Sequence, residues 1–148
     1  MPEDRDPVTP TTVLDATGLV LGRAAGVIAK RLLDGEQIVV VHAEKAVVSG
    51  SRSSVLEAYR ILRARGSVRS GPHYPRYPDR IFRRAVRGML PHLKSRGKRA
   101  FGLLRVHLGC PTEYSAVAAE TLPGAKARPT LRPLLTLEEV SRLLGARV

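Results

Sequence analysis

The order of apolar and polar positions divides the chain into alternating strand-like and helix-like segments. Thr11 to Ala16, following Pro10, reads as a first short strand, and Thr17-Gly18 opens a loop. From Leu21 to Leu33 the apolar residues Ala24, Ala25, Val27, Ile28, Leu32 and Leu33 recur at helical spacing, with Gly35 placed to end the helix. Gln37 to Ala43 reads as a strand around the unbroken β-branched run Ile38 to Val41, the pattern of a strand buried on both faces. Strand, helix and buried strand make a βαβ unit, which implies a parallel sheet with helices packed on it. Ala46-Val47-Val48 predicts a brief further strand closed by Ser49-Gly50, and Ser51 to Arg65 a second helix stopped by Gly66.

Residues 66–78 hold Gly66, Gly71, Pro72, Pro75 and Pro78 and exclude regular structure. Asp79 is placed to cap a helix running to about Leu90, before Pro91. A short helix over residues 95–103 leads to Arg105-Val106-His107-Leu108, a last strand. Residues 109–135 carry four prolines and predict an extended arm. Thr136-Leu137-Glu138-Glu139 is a capping box for a closing helix to Gly145, with Val140, Leu143 and Leu144 as its apolar face. The pattern describes one domain over residues 1–148, with a flexible stretch at 1–10 and no internal repeat.

Composition changes this picture in one respect, its charge. Apolar residues make up 43% of the chain, enough for a core, and the formal net charge is +12. Residues 52–105 hold 15 Lys and Arg against two acids, Glu57 and Asp79, a local charge of +13, while the rest of the chain is close to neutral. Concentrated like charge repels itself, so a polyanionic partner is implied. Arginine outnumbers lysine 20 to 5, which favours bidentate phosphate contacts and stacking on bases. The single cysteine, Cys110, excludes a disulfide framework and a Cys-rich zinc site, and fits a reducing cytoplasm. No apolar run reaches the ~20 residues that span a bilayer, and the acidic Met1-Pro2-Glu3-Asp4 does not read as a signal peptide.

The charge is ordered as well as dense. At ~100° per residue, Arg80, Arg83, Arg84 and Arg87 fall on one helix face, opposite Ile81, Phe82, Ala85, Val86, Met89 and Leu90. Each close pair of like charges costs ~0.2–0.5 kcal/mol, and no acid on that face relieves it. A solvated helix face ordinarily mixes signs, so phosphate binding is the better reading. The preceding Gly71 to Pro78 alternates prolines with His73, Tyr74, Arg76 and Tyr77, a stiff strip able to offer rings to unpaired bases, or to pack them on the domain itself. His92, Lys94, Arg96, Lys98 and Arg99 extend the basic tract beyond Pro91.

Other chemistry fares worse. Gly18, Gly22 and Gly26 follow a strand, but GxGxxG would need glycine where Val20 and Arg23 stand, and no GxxxxGK[ST] occurs. These glycines fit a tight turn and close helix–sheet contact instead. His42, His73, His92 and His107 lack metal-ligand spacing, so no metal and no cofactor is expected. Asp15, His42 and Glu44 fall at strand ends, where α/β enzymes place active sites, and they supply the rival reading of an RNA-modifying or RNA-cleaving enzyme.

The run Ile81 to His92 (IFRRAVRGMLPH), with Arg96-Gly97 after it, closely resembles the signature of the large-subunit ribosomal protein thirteen family. Asp15 to Gly18, Leu21-Gly22-Arg23, Gly35, Gly71-Pro72-His73 and Gly109-Cys110-Pro111 extend the resemblance over about Val13 to Tyr114. The Gly-Pro-His and Arg-Gly-Met-Leu-Pro-His forms resemble the archaeal and eukaryotic branch; without the long C-terminal helical extension of eukaryotic members, an archaeal source is expected. The resemblance implies a three-layer α/β domain with a mostly parallel four-stranded sheet. It implies no catalysis, a place on the large ribosomal subunit in the cytoplasm, and contacts with large-subunit ribosomal RNA and neighbouring ribosomal proteins, without a membrane or a small-molecule substrate. Arg83, Arg87, Gly88, Met89, Leu90, Pro91 and His92 match the motif, with Arg87 and His92 implied as RNA contacts. The sequence departs where Leu93 separates His92 from Lys94, and after Tyr114 nothing carries over. The RNA-binding set is therefore His73, Tyr74, Arg76, Arg80, Arg83, Arg84, Arg87, His92, Lys94, Arg96, Lys98 and Arg99.

Overall fold

A computed structural model describes residues 11–128, 130 and 133–148. Along the chain come β1 (Thr11–Asp15), α1 (Leu21–Leu33), β2 (Gln37–Val41), β3 (Val47–Ser49), α2 (Arg52–Ala64), α3 (Pro78–Met89), α4 (Ser95–Gly102), β4 (Leu104–Val106), β5 (Leu134–Thr136) and α5 (Leu137–Leu143). The flexible stretch expected at 1–10 lies outside the described residues.

The β-branched run of β2 takes the centre of a parallel sheet ordered β1-β2-β4. Ile38, Val39, Val40 and Val41 are all buried, as a strand covered on both faces requires. Leu14, Ile38, Val40 and Leu104 face α1 and α3 in the main core, where Ala24, Ala25 and Ile28 of α1 meet Ile81, Phe82 and Val86 of α3. Val13, Val39 and Val41 face the other way, covered by Tyr114.

The mostly parallel four-stranded sheet implied by the family resemblance is not found among the described residues: the main sheet has three parallel strands, and β3 pairs antiparallel with β5 in a separate two-stranded sheet. The cause lies just after β2. His42 adopts a left-handed conformation (φ 55°) and a 3-10 turn follows at Ala43–Lys45, which turns the chain out of the sheet before Val47. Leu134–Thr136 then supplies the partner of β3, with Val48 opposite Leu135.

Residues 109–135 are likewise not simply an extended arm. They contain 3-10 turns at Thr112–Tyr114 and Pro123–Ala125 besides the start of β5, and several of their described residues are tied to the domain. Glu120 bridges the free edge of β1, its N–H donating to the Val13 carbonyl at 2.8 Å. The Val20 N–H donates to the Ala125 carbonyl at 2.8 Å, and Leu122 and Ala125 lie buried in the main core. Arg31 fastens the same stretch to α1, donating to Glu36 at 2.7 Å and to Glu120 at 3.2 Å.

Smaller expectations are adjusted. Asp79 is not the cap of α3: Tyr77 holds that position without a side-chain bond, Pro78 supplies a first helical residue whose missing N–H costs nothing there, and Asp79 sits in the first turn, where its charge favours the helix dipole. Met89 is not core but 48% exposed. Gly18 makes the expected tight turn at φ +72°, whereas Gly22 and Gly26 are exposed, and a Cβ on Gly26 would meet only Met89 Sδ, at 3.6 Å. The closing helix begins as expected, with Thr136 Oγ1 accepting from the Glu139 N–H at 3.3 Å. No described helix is long and apolar enough to cross a membrane.

Candidate nucleic-acid interface

The helical period of α3 puts Ile81, Phe82 and Val86 fully inside, and this anchoring fixes the opposite face. Arg80 is exposed there, and Arg83, Arg84 and Arg87 are half-buried. Together with His73, Pro75 and Phe101 these four arginines line an open groove of about 310 Å³. Among the described residues, none of the four makes an ion pair with a carboxylate.

Three of the guanidinium groups lie on rings. Arg83 Cζ is 4.6 Å from the centroid of Phe101, Arg84 Cζ 5.7 Å from that of Tyr74, and Arg80 Cζ 6.0 Å from that of Tyr77. Such stacking is worth ~0.5–1 kcal/mol at exposed sites and, more to the point, limits the orientations of each charged fork. Behind them, Arg63 of α2 donates to the Tyr74 carbonyl at 2.7 Å and pins the 71–77 loop to the domain. Burial of Arg63, and the like charge of Arg76, lower the pKa of its guanidinium. The rings of Tyr74 and Tyr59 lie 6.0 Å apart; burial pushes the Tyr59 phenol up to about 12 and the Tyr74 phenol above its usual range.

The structure thus brings His73, Arg80, Arg83, Arg84 and Arg87 to one groove and sets Tyr74 beside it, its ring turned to Tyr59 and Arg84. His92 and Lys94 lie on the turn after α3, and Arg96, Lys98 and Arg99 are exposed along α4, outside the groove lining. Arg76 is exposed near Gly145, at the α5 end. Phe101 and Arg63 were missed from sequence. The only available signal for Phe101 was that it is one of two phenylalanines and stands inside the basic tract.

The strand-end cluster does assemble, but in structural roles. Glu44 Oε2 accepts the Gly109 N–H at 3.0 Å, and its Oε1 lies 3.8 Å from His42 Nδ1. Asp15 accepts from the N–H of Thr17 at 2.9 Å and from its hydroxyl at 2.6 Å. Partial burial pushes the Asp15 carboxyl up, but the Thr17 bonds and the nearby His42 and Lys45 outweigh it and hold the group below its ordinary range. Both carboxylates are engaged in holding loops.

Fold and surface define a small basic α/β domain with an arginine-lined groove. The chain belongs to the ribosomal protein L13 family, whose model matches residues 10–113. It is similar to the large ribosomal subunit protein uL13 of Archaeoglobus fulgidus, at 49% identity covering 92% of this chain and 88% of the relative. The proteins of the same name from Methanosarcina barkeri and Methanococcoides burtonii are 46% and 45% identical, each covering 92% of this chain and 99% of the relative. All three relatives are archaeal, in agreement with the branch expected from the Gly-Pro-His and Arg-Gly-Met-Leu-Pro-His segments.

Proposed function

We propose that the chain is a non-enzymatic constituent of the large ribosomal subunit in the cytoplasm, and that it binds large-subunit ribosomal RNA through the arginine face of α3 and the adjoining basic segments. The observation that carries this reading is the groove of four arginines that, among the described residues, have no carboxylate partners, held on a helix whose other side is core. Nothing in the protein neutralises that face among the described residues, so a polyanion relieves its repulsion directly. Family membership supports the ribosomal setting, in which the single domain, residues 1–148, would also meet neighbouring ribosomal proteins.

In mechanism, the α/β core acts as a rigid mount. Phosphate contacts supply most of the affinity and its salt dependence, and RNA shape with a few unstacked bases sets the site. His92, Lys94, Arg96, Lys98 and Arg99 extend the contact along the turn and α4, and Arg76 does so on the loop. The protein is expected to co-sediment with large subunits from a cell extract. Replacing Arg80, Arg83, Arg84 and Arg87 together by Ala should reduce the slope of log affinity for ribosomal RNA against log salt by up to about 3, with the fold intact. Equal affinity and equal slope in the quadruple variant would overturn the reading.

A further inference from the structure

Resting on that reading, the geometry points to a finer assignment: the groove is a built seat for one phosphodiester of an unpaired RNA strand, and Arg83, held on the face of Phe101, is its fixed fork. The four arginines are not equivalent. Arg83 lies closest to a ring, at 4.6 Å, and its Nε is sealed from solvent without a hydrogen-bond partner, so the face of Phe101 rather than a hydrogen bond orients the group. Its two terminal nitrogens make no hydrogen bond among the described residues and are not sealed. A guanidinium laid on a ring by one face, with both terminal nitrogens open, presents two parallel N–H donors in a limited range of directions, the arrangement that matches two oxygens of one phosphate. Arg80, by contrast, is exposed and sits 6.0 Å from its ring.

The rest of the lining favours a single strand over a duplex. Pro75 and Phe101 add apolar surface among the cations, which suits the ribose or base of an unstacked nucleotide more than a row of duplex phosphates. Pre-organisation also makes arginine and lysine non-interchangeable at this one position, because an ammonium keeps the charge but loses the fork and the stack.

Affinities of the wild type, R83K, R80K, R87K, F101L and F101Y are to be measured for a short oligouridylate and for a blunt RNA duplex, at several salt concentrations. R83K, which loses one charge-assisted hydrogen bond, and F101L, which removes the ring that orients the fork, should each weaken oligouridylate binding about tenfold at an unchanged salt slope. R80K and R87K should stay within about twofold of wild type, and F101Y, which keeps the ring, should bind as wild type. Duplex binding should change little in any of them. If R83K behaves as R80K and R87K do, the seat is disproved even though the protein still binds RNA. Should the wild type bind neither probe nor ribosomal RNA, the broader reading itself falls. R83K preserves charge at a half-buried surface position, so its result decides the matter even if F101L fails to fold.

Discussion

Gly97 offers the sharpest test of how α4 is mounted. It is buried inside α4, and a Cβ built on it would collide with the carbonyl oxygen and carbon of Pro91 and lie 2.9 Å from the His92 nitrogen. All three are backbone atoms, so no side chain can swing aside. To reach ordinary contact, α4 and the turn after α3 must separate by more than about 1 Å, an overpacking that typically costs ~1–3 kcal/mol or more. Helix propensity works the other way, since Ala is better than Gly in a helix by about 0.8–1 kcal/mol. Packing wins, and Gly97→Ala should lower Tm by several degrees, at roughly 2–4 °C per kcal/mol for a chain of this size. Gly22→Ala provides the opposite sign from the same chemistry. Gly22 is exposed in α1 with nothing within 4 Å of a built Cβ, so propensity acts alone and the variant should gain about 0.5–1 kcal/mol. Thermal unfolding followed by circular dichroism measures both. A Gly97→Ala protein as stable as Gly22→Ala would refute the reasoning.

Two further outcomes concern the joints of the fold. Arg31 beside Glu36, aided by the Thr12 hydroxyl at 2.6 Å, holds the Glu36 carboxyl below its ordinary range against partial burial. A carboxyl whose folded pKa is depressed adds stability above its unfolded value and loses it as pH falls through the folded one. Glu36→Gln should therefore be less stable than wild type at neutral pH and lose less on acidification, as urea unfolding from neutral to acidic pH will reveal. Thr136→Ala removes the cap of α5 and should cost about 1 kcal/mol in the same assay, with Thr136→Ser close to wild type.

What the sequence made legible follows the range of the interactions. The β2 run had to be a central strand, because four consecutive β-branched or aliphatic residues satisfy burial on both faces and little else. The boundaries of α1 were equally plain, since its apolar period and the positive-φ Gly35 are local facts. The partner of β3 was not legible. Ala46-Val47-Val48 carries the same short apolar pattern whether it joins a parallel sheet or pairs with a segment near the chain's end. The choice is made by a left-handed His42, a conformation that a non-glycine residue rarely takes and that no residue pattern announces. Among the described residues the parallel sheet accordingly stops at three strands.

At the interface the same division holds, and it links the fold to the site. The arginine face of α3 was legible because i, i+3, i+4 and i+7 spacing is a property of one helix. The ring beneath Arg83 was not, because Phe101 belongs to another helix and reaches Arg83 only through the way α4 docks. That docking has a visible cause: Gly97 and Phe101 stand at i and i+4, on one face of α4, and the missing side chain at 97 lets that face close on the Pro91 carbonyl. Any side chain at 97 would lift the face that carries Phe101. The contact that makes Gly97 necessary for stability thus also sets the 4.6 Å stack that orients Arg83. It follows that Gly97→Ala, besides lowering Tm, should reproduce part of the oligouridylate defect of F101L at temperatures where it remains folded.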